Sequence, residues 1–299
     1  MEISGSTGFE EVVQKESEVT LTSEEYEALT EMIQDEANFA IYSFKVIERM
    51  KEIMNEAVKK TFMEITKPSI ILPCTEDLEY RPLKVYEDGR KYFGQWDKIT
   101  NQREGMGISI NSNEQVAMGK FTQDEFTGKG LYIYSNGSYY EGDLKNRYAD
   151  GFGKIVSVKG YTYEGQWEND QRNGFGILKT TEGEVYEGNF VNHCREGYGK
   201  FLEEDGEYYE GEFKESMKHG YGVSTLKEGT EIFCEFSEDE INGVSSIIKP
   251  DGSMFYGEWD RGEIINGIYT DPKGKEMKVP DEVHPFEICE IFEIIQIVH

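Results

Sequence analysis

The sequence predicts a mainly β protein built of stacked antiparallel hairpins, with a long N-terminal α-helix and a short apolar C-terminal cap. Three observations carry this reading. A tyrosine-glycine-aromatic motif recurs with a period of 23 residues, as Tyr140-Glu141-Gly142-Asp143-Leu144, Tyr163-Glu164-Gly165-Gln166-Trp167, Tyr186-Glu187-Gly188-Asn189-Phe190 and Tyr209-Glu210-Gly211-Glu212-Phe213. Nine residues after each motif glycine stands a G-x-G triplet, among them Gly151-Phe152-Gly153, Gly174-Phe175-Gly176, Gly197-Tyr198-Gly199 and Gly220-Tyr221-Gly222. Five residues before each motif glycine lies a turn glycine, as in Asn136-Gly137, Glu182-Gly183 and Asp205-Gly206, able to take the positive φ of a tight reversal. A fixed period of this size marks a repeat array, whose units bury their apolar faces only by stacking on one another.

Weaker copies at Tyr92-Phe93-Gly94-Gln95-Trp96, Ala117-Met118-Gly119-Lys120-Phe121, Ile232-Phe233-Cys234-Glu235-Phe236 and Phe255-Tyr256-Gly257-Glu258-Trp259 bring the count to eight units. Polarity alternates with period two between turns, which puts Tyr163, Gly165 and Trp167 on a packed face and Glu164 and Gln166 on a wet one. By the same rule Tyr140, Gly142, Tyr186, Gly188, Tyr209 and Gly211 belong to the repeat core. The glycines read as slots where a side chain would collide with the large aromatics of a neighbouring hairpin. The rings serve core packing or, alternatively, touch a ligand. The outer units depart from the pattern: Ala117 and Ile232 stand at the tyrosine position, Cys234 at the motif glycine, Glu114 at the turn glycine and Ser245 in the triplet. Regular middle units and distorted ends are expected of a capped array.

The pattern Y-E-G-x-[WF], G-x-G and x-D-G over residues 86–274 resembles the MORN repeat. The resemblance implies an elongated single-layer antiparallel sheet of stacked hairpins. It also implies a setting, since MORN arrays flanked by helices resemble subunits of ciliary and flagellar axonemes, including radial spoke heads.

Residues 1–21 are polar, acidic and without period, and read as a disordered tail. Residues 22–67 read as one amphipathic helix opened by a capping box at Thr22-Ser23-Glu24-Glu25, with a stripe that includes Tyr26, Leu29, Ile33, Phe44, Ile47 and Met54. That stripe packs either along the protein's own groove or against another protein as a coiled coil; the second is the expected partner-binding role. Residues 68–85 form a linker, and residues 275–299 a capping or docking segment that is ambiguous between helix and strand.

With 37% apolar and 30% charged residues over 299 positions, the array takes up most of the chain, and a catalytic domain is not expected in the remainder. No nucleophile-and-base set is present. His193, His219, His284 and His299 occupy different unit positions, and Cys74, Cys194, Cys234 and Cys289 form no C-x-x-C pair, so no metal or cofactor is expected. Gly128-Lys129-Gly130 lacks the spacing of a phosphate loop, and Asp271-Pro272-Lys273-Gly274 has too few oxygen ligands for calcium. A formal net charge of −28 opposes nucleic acid and anionic lipid. Glu141, Glu164, Glu187 and Glu210 form an acidic row, either a solvated face or a track for a basic helix. The expectation is a non-enzymatic scaffold in a cytoplasmic cytoskeletal assembly, with an adaptor holding a motor or signalling helix and a membrane tether as alternatives.

Overall fold

The computed structural model describes residues 27, 46–48, 50–52, 54–65 and 77–292. Of the stripe residues, Tyr26, Leu29, Ile33 and Phe44 lie outside them, as do the acidic tail and residues 293–299. The chain divides into two compact units, residues 1–158 and 159–299.

Unit 1 contains helix α1 (Glu56–Ile65) and strands β1 (Leu78–Tyr80), β2 (Lys84–Val85), β3 (Lys91–Asp97), β4 (Arg103–Ile110), β5 (Val116–Thr122), β6 (Glu125–Ile133), β7 (Tyr139–Lys145) and β8 (Tyr148–Val156). From β3 onward each strand pairs antiparallel with the next, while β1 and β2 share the free edge of β3. The expected linker therefore ends in two short strands.

Unit 2 continues with β9 (Thr162–Glu168), β10 (Gln171–Lys179), β11 (Val185–Val191), β12 (Cys194–Leu202), β13 (Tyr208–Lys214), β14 (Met217–Thr225), β15 (Glu231–Ser237), β16 (Glu240–Ile248), β17 (Met254–Asp260), β18 (Glu263–Thr270) and β19 (Glu276–Val279), then helix α2 (Pro285–Phe292). Every consecutive pair of these strands is antiparallel. The ambiguous C-terminal run is helical over α2, which buries Ile288 and Phe292 and sets Phe292 edge-on to Tyr269 at 6.0 Å.

Two kinds of turn alternate. The turn glycines close three-residue loops, as at Gly137, whose N–H donates to Tyr134 O at 2.8 Å with φ +87°. Glu114 takes the same left-handed place at φ 60°, helped by Asn111 Oδ1, which accepts from Asn113 N and Gln115 N. From β5 onward the other hairpins close on two residues that both have positive φ, such as Asn146-Arg147, Asn169-Asp170, Asn192-His193 and Glu215-Ser216. This is the mirror-image turn whose twist matches the strands. Sequence reasoning missed these pairs because most of them contain no glycine.

On one face of each hairpin that keeps the motif tyrosine, its ring lies over both glycines of its own hairpin. A Cβ on Gly165 would stand 2.5 Å from Gly176 Cα and 2.7 Å from the Tyr163 hydroxyl. The colliding ring therefore comes from the same strand, not from the neighbouring hairpin that the sequence suggested. The hydroxyl of Tyr163 donates to Gln166 O at 2.8 Å, and Tyr92, Tyr140, Tyr186 and Tyr209 repeat the bond three residues ahead. Edge-on contacts link the rings, with Tyr186 5.0 Å from Phe190 and 5.1 Å from Phe213, and Tyr209 5.1 Å from Phe213 and 5.2 Å from Phe236.

The departures fit the same geometry. Where Ile232 replaces the tyrosine, the vacated slot is filled by Cys234, which is buried, and by Ser245, whose Oγ accepts from Trp259 Nε1 at 2.6 Å. Where Ala117 replaces it, the ring of Phe126 occupies the slot above Gly130.

The long single helix is not present. Residues 46–48 and 50–52 are helical, the helix breaks at Met54 and Asn55, and α1 starts afresh. Asn55 Oδ1 accepts from Val58 N at 3.0 Å, the geometry of an N-cap. Its amide also donates to Ser135 O at 3.0 Å, and Thr61 Oγ1 donates to Gly137 O at 2.7 Å, so the break is anchored on a hairpin turn of the same unit. The buried face is Val46, Met50, Met54, Val58 and Phe62, in steps of four, packed with Phe93, Ile108, Ile110, Val116, Leu131 and Ile133. Ile47 packs at the edge of this cluster. Met54 and Ile47, read from the sequence as partner-facing, thus lie against the chain's own sheet.

A candidate docking face

Opposite the tyrosine rings, the strands of each unit carry a cross-strand row. In unit 1 it runs Phe93, Ile108, Met118, Leu131, Glu141, Lys154 by direct register. In unit 2 it runs Glu164, Ile177, Glu187, Lys200, Glu210, Val223, Phe233, Ser246, Tyr256, Ile268. The predicted acidic row is the charged part of these two series.

It is not a bare acidic track, because Lys154 faces Glu141, Ile177 stands between Glu164 and Glu187, and Lys200 between Glu187 and Glu210. Lys200 Nζ lies 3.6 Å from Glu210, and the hydroxyls of Tyr198 and Tyr208 donate to the same carboxylate at 2.8 and 3.1 Å. The Tyr198 hydroxyl bond holds the Glu210 carboxyl below the usual range.

The apolar ends of the two rows differ. In unit 1 the helix buries them, leaving Phe93 5% and Ile108 3% exposed. In unit 2 Phe233 is 40%, Tyr256 59% and Ile268 43% exposed, and none of the described helices covers them. The middle residues of the G-x-G triplets stand beside this row, with Tyr198, Tyr221 and Val244 all exposed. Each faces a carboxylate in register: Tyr198 opposite Glu212, Tyr221 opposite Glu235, Val244 opposite Glu258. Between them runs an open groove of about 490 Å³ lined by Tyr198, Tyr221, Val223, Phe233, Val244 and Tyr256. Covering large apolar side chains of this kind contributes about 1.5–3 kcal/mol each. Sequence reasoning passed over this face, although its signal was present: the row position changes from Glu210 to Phe233 and Tyr256, and the triplet centre is aromatic in successive units.

On the ring face, by contrast, cations cap the aromatic rings. Arg172 lies 5.6 Å above Tyr163 and 5.3 Å above Phe190, and its guanidinium donates to His193 O at 3.2 Å. Arg195 repeats this over Tyr186 and Phe213, donating to Ser216 O, and Arg103 repeats it over Tyr92 and Phe121, donating to Asp124 O. Stacked and carbonyl-bound cations lock successive hairpins together. Glu203, Asp205 and Glu207 bring carboxylate oxygens within 4.8 Å of one another, but Lys218 Nζ already sits 2.8 Å from Glu203. The ring-face tyrosines expected as repeat core are buried, Tyr140, Tyr163, Tyr186 and Tyr209 among them.

Four stretches of the sequence, residues 118–139, 163–185, 186–207 and 209–231, match the model of the MORN repeat. The chain carries MORN repeats. Outside those stretches, Tyr140 lies over Gly142 and Gly153 in the same slot geometry. A search among curated proteins finds no match. Among solved structures, the chain is similar to the TCP10 domain of Danio rerio CPAP, at 13% identity over 65% of this chain and 96% of that one, with a TM-score of 0.38. It is also similar to the SAS-4 (dCPAP) TCP domain of Drosophila melanogaster, at 12% identity over 64% and 96%, TM-score 0.31. A virginiamycin B lyase from Staphylococcus aureus matches at 15% identity over 72% and 75%, TM-score 0.15. Superpositions this loose carry no argument about the fold or function of the MORN units. Among the described residues, no helix is long and apolar enough to cross a membrane.

Proposed function

We propose that this MORN-repeat chain is a non-enzymatic scaffold, a protein–protein interaction subunit of a large cytoskeletal assembly of the ciliary or flagellar kind. The docking part of the reading is supported by one observation: Phe233, Tyr256 and Ile268 of the unit 2 row are exposed, the first two along a groove flanked by carboxylates. An apolar patch with a polar rim is the usual form of a protein interface. The cytoskeletal part rests on the resemblance to axonemal MORN proteins. Charge argues against direct attachment to anionic membranes, since a net −28 repels such a surface.

The test is reincorporation. Purified wild-type protein is added to salt-extracted axonemes and sedimented beside a Tyr221→Glu/Tyr256→Glu variant, with thermal melting as the folding control. Saturable wild-type binding that the variant loses supports the proposal. Equal binding of both proteins, or retention on phosphatidylserine vesicles in place of axonemes, overturns it.

A further inference from the structure

We propose that the exposed row of unit 2 is the seat of a partner's amphipathic α-helix whose apolar stripe is flanked by Lys or Arg. The inference deepens the docking reading above and rests on it. Its main support is internal, because the chain already contains such a seat, filled.

In unit 1 the row residues Phe93, Ile108, Met118 and Leu131 and their neighbours Ile110, Val116 and Ile133 receive a helical segment that presents Val46, Met50, Met54, Val58 and Phe62. Phe233 and Tyr256 stand at the repeat position of Phe93 and Met118, and Val223 and Ile268 at that of Ile108 and Leu131. Ile248 and Met254 likewise match Ile110 and Val116. Apart from Ser246, which stands between Phe233 and Tyr256 where unit 1 has Ile108, the seat in unit 2 repeats the apolar residue types that accept a helix in unit 1. The five strands from β14 to β18 span about 19 Å, since neighbouring strands are about 4.8 Å apart. A helix of about 13 residues covers that distance at 1.5 Å per residue.

Charge selects among occupants. The groove is flanked by Glu212, Glu235 and Glu258, each in register with an exposed apolar residue, while Lys200 is engaged with Glu210. A lysine or arginine on the arriving helix can pair with these carboxylates and lie on the rings of Tyr221 and Tyr256. A second copy of this chain, itself at −28, is opposed by the same charges. The chain's own α2 is already committed, with Ile288 and Phe292 buried and Phe292 against Tyr269.

Three fluorescent peptides of about 18 residues, enough for a covering helix, test this by anisotropy on the full chain. One has a leucine-isoleucine stripe at helical spacing flanked by lysines, the second has the same stripe flanked by glutamates, and the third is the lysine peptide with two central prolines. The lysine-flanked helix is expected to bind at least about tenfold more tightly than either control and to gain helical circular dichroism on binding. The Tyr221→Glu/Tyr256→Glu variant is expected to lose that affinity without a change in melting. Equal binding of the proline peptide rejects a helix while leaving the docking face in place, and equal binding of the glutamate peptide rejects the basic flank. Absence of binding by all three overturns the inference and leaves the reincorporation assay to judge the scaffold separately. Concentration-dependent dimerisation that the variant abolishes assigns the seat to a second copy and overturns it as well.

Discussion

Unit 1 and unit 2 are built from the same hairpin, yet one carries a helix on its row and the other leaves the equivalent positions open. The ring faces do not explain this. Both units bury tyrosines over paired glycines, donate the hydroxyl three residues ahead and stack a cation on the rings. What differs is one repeat position on the opposite face. It is Phe93 and Met118 under the helix, glutamate in the four middle repeats, and Phe233 and Tyr256 on the exposed end. Hairpin stability and surface purpose are therefore written on opposite faces of the same strands, and can change independently.

The comparison breaks most readily at the covered row. Phe62→Ala removes a fully buried ring from the unit 1 core and should cost about 3–5 kcal/mol, whereas Phe233→Ala, on the exposed row, should stay within about 0.5 kcal/mol. Denaturant unfolding of both variants measures the difference. Similar losses would mean that the unit 2 row is covered in solution and that the contrast between the units is unreal.

The second contrast sharpens the division between faces of a single strand. Gly165→Val drives a branched side chain against Gly176 Cα and the Tyr163 hydroxyl. The backbone cannot withdraw, so a loss of about 3 kcal/mol is expected. Glu164→Gln, one residue away on the exposed face, should cost under about 0.5 kcal/mol. Matching shifts in melting temperature for the two would refute the assignment of faces.

The smallest expected effect is common to both units and appears only in alkali. Burial pushes the Tyr163 and Tyr186 phenols up to about 12 from the ordinary 10.0, and raises Tyr92 and Tyr209 as well. A raised folded value means that the neutral phenol's contribution is fully present below pH 10 and is lost as pH rises through about 12. Ultraviolet titration should therefore show ring-face phenolates appearing together with the loss of sheet circular dichroism. Ionisation of these tyrosines near the ordinary value, with the sheet intact, would show that the rings are not buried.

Much of this molecule was legible because its chemistry is local. Tyrosine, glycine and acidic positions repeating every 23 residues, with period-two polarity, assign strands and faces without knowledge of any distant contact. The turn glycines announced their loops for the same reason. The two-residue turns escaped because Asn192-His193 or Glu215-Ser216 looks like any polar pair, and takes positive φ only once strand register demands it. Nor was the break after Met54 legible, since the Asn55 cap that restarts the helix and turns Val58 and Phe62 inward depends on contacts with a distant hairpin.

By itself the sequence determined the repeat, the hairpins, the buried tyrosines and the outward glutamates, since each follows from spacing along a strand. Only tertiary structure decided where the apolar stripe of the N-terminal segment is spent and which row is left open. The physical reason is that hydrophobic burial is non-directional: a stripe such as Val46, Met50, Met54, Val58 and Phe62 gains as much from a sheet in its own chain as from a partner's helix. The choice was made by Asn55 and Thr61, whose bonds to Ser135 O and Gly137 O join residues about 80 positions apart in sequence and bring the segment back onto its own unit.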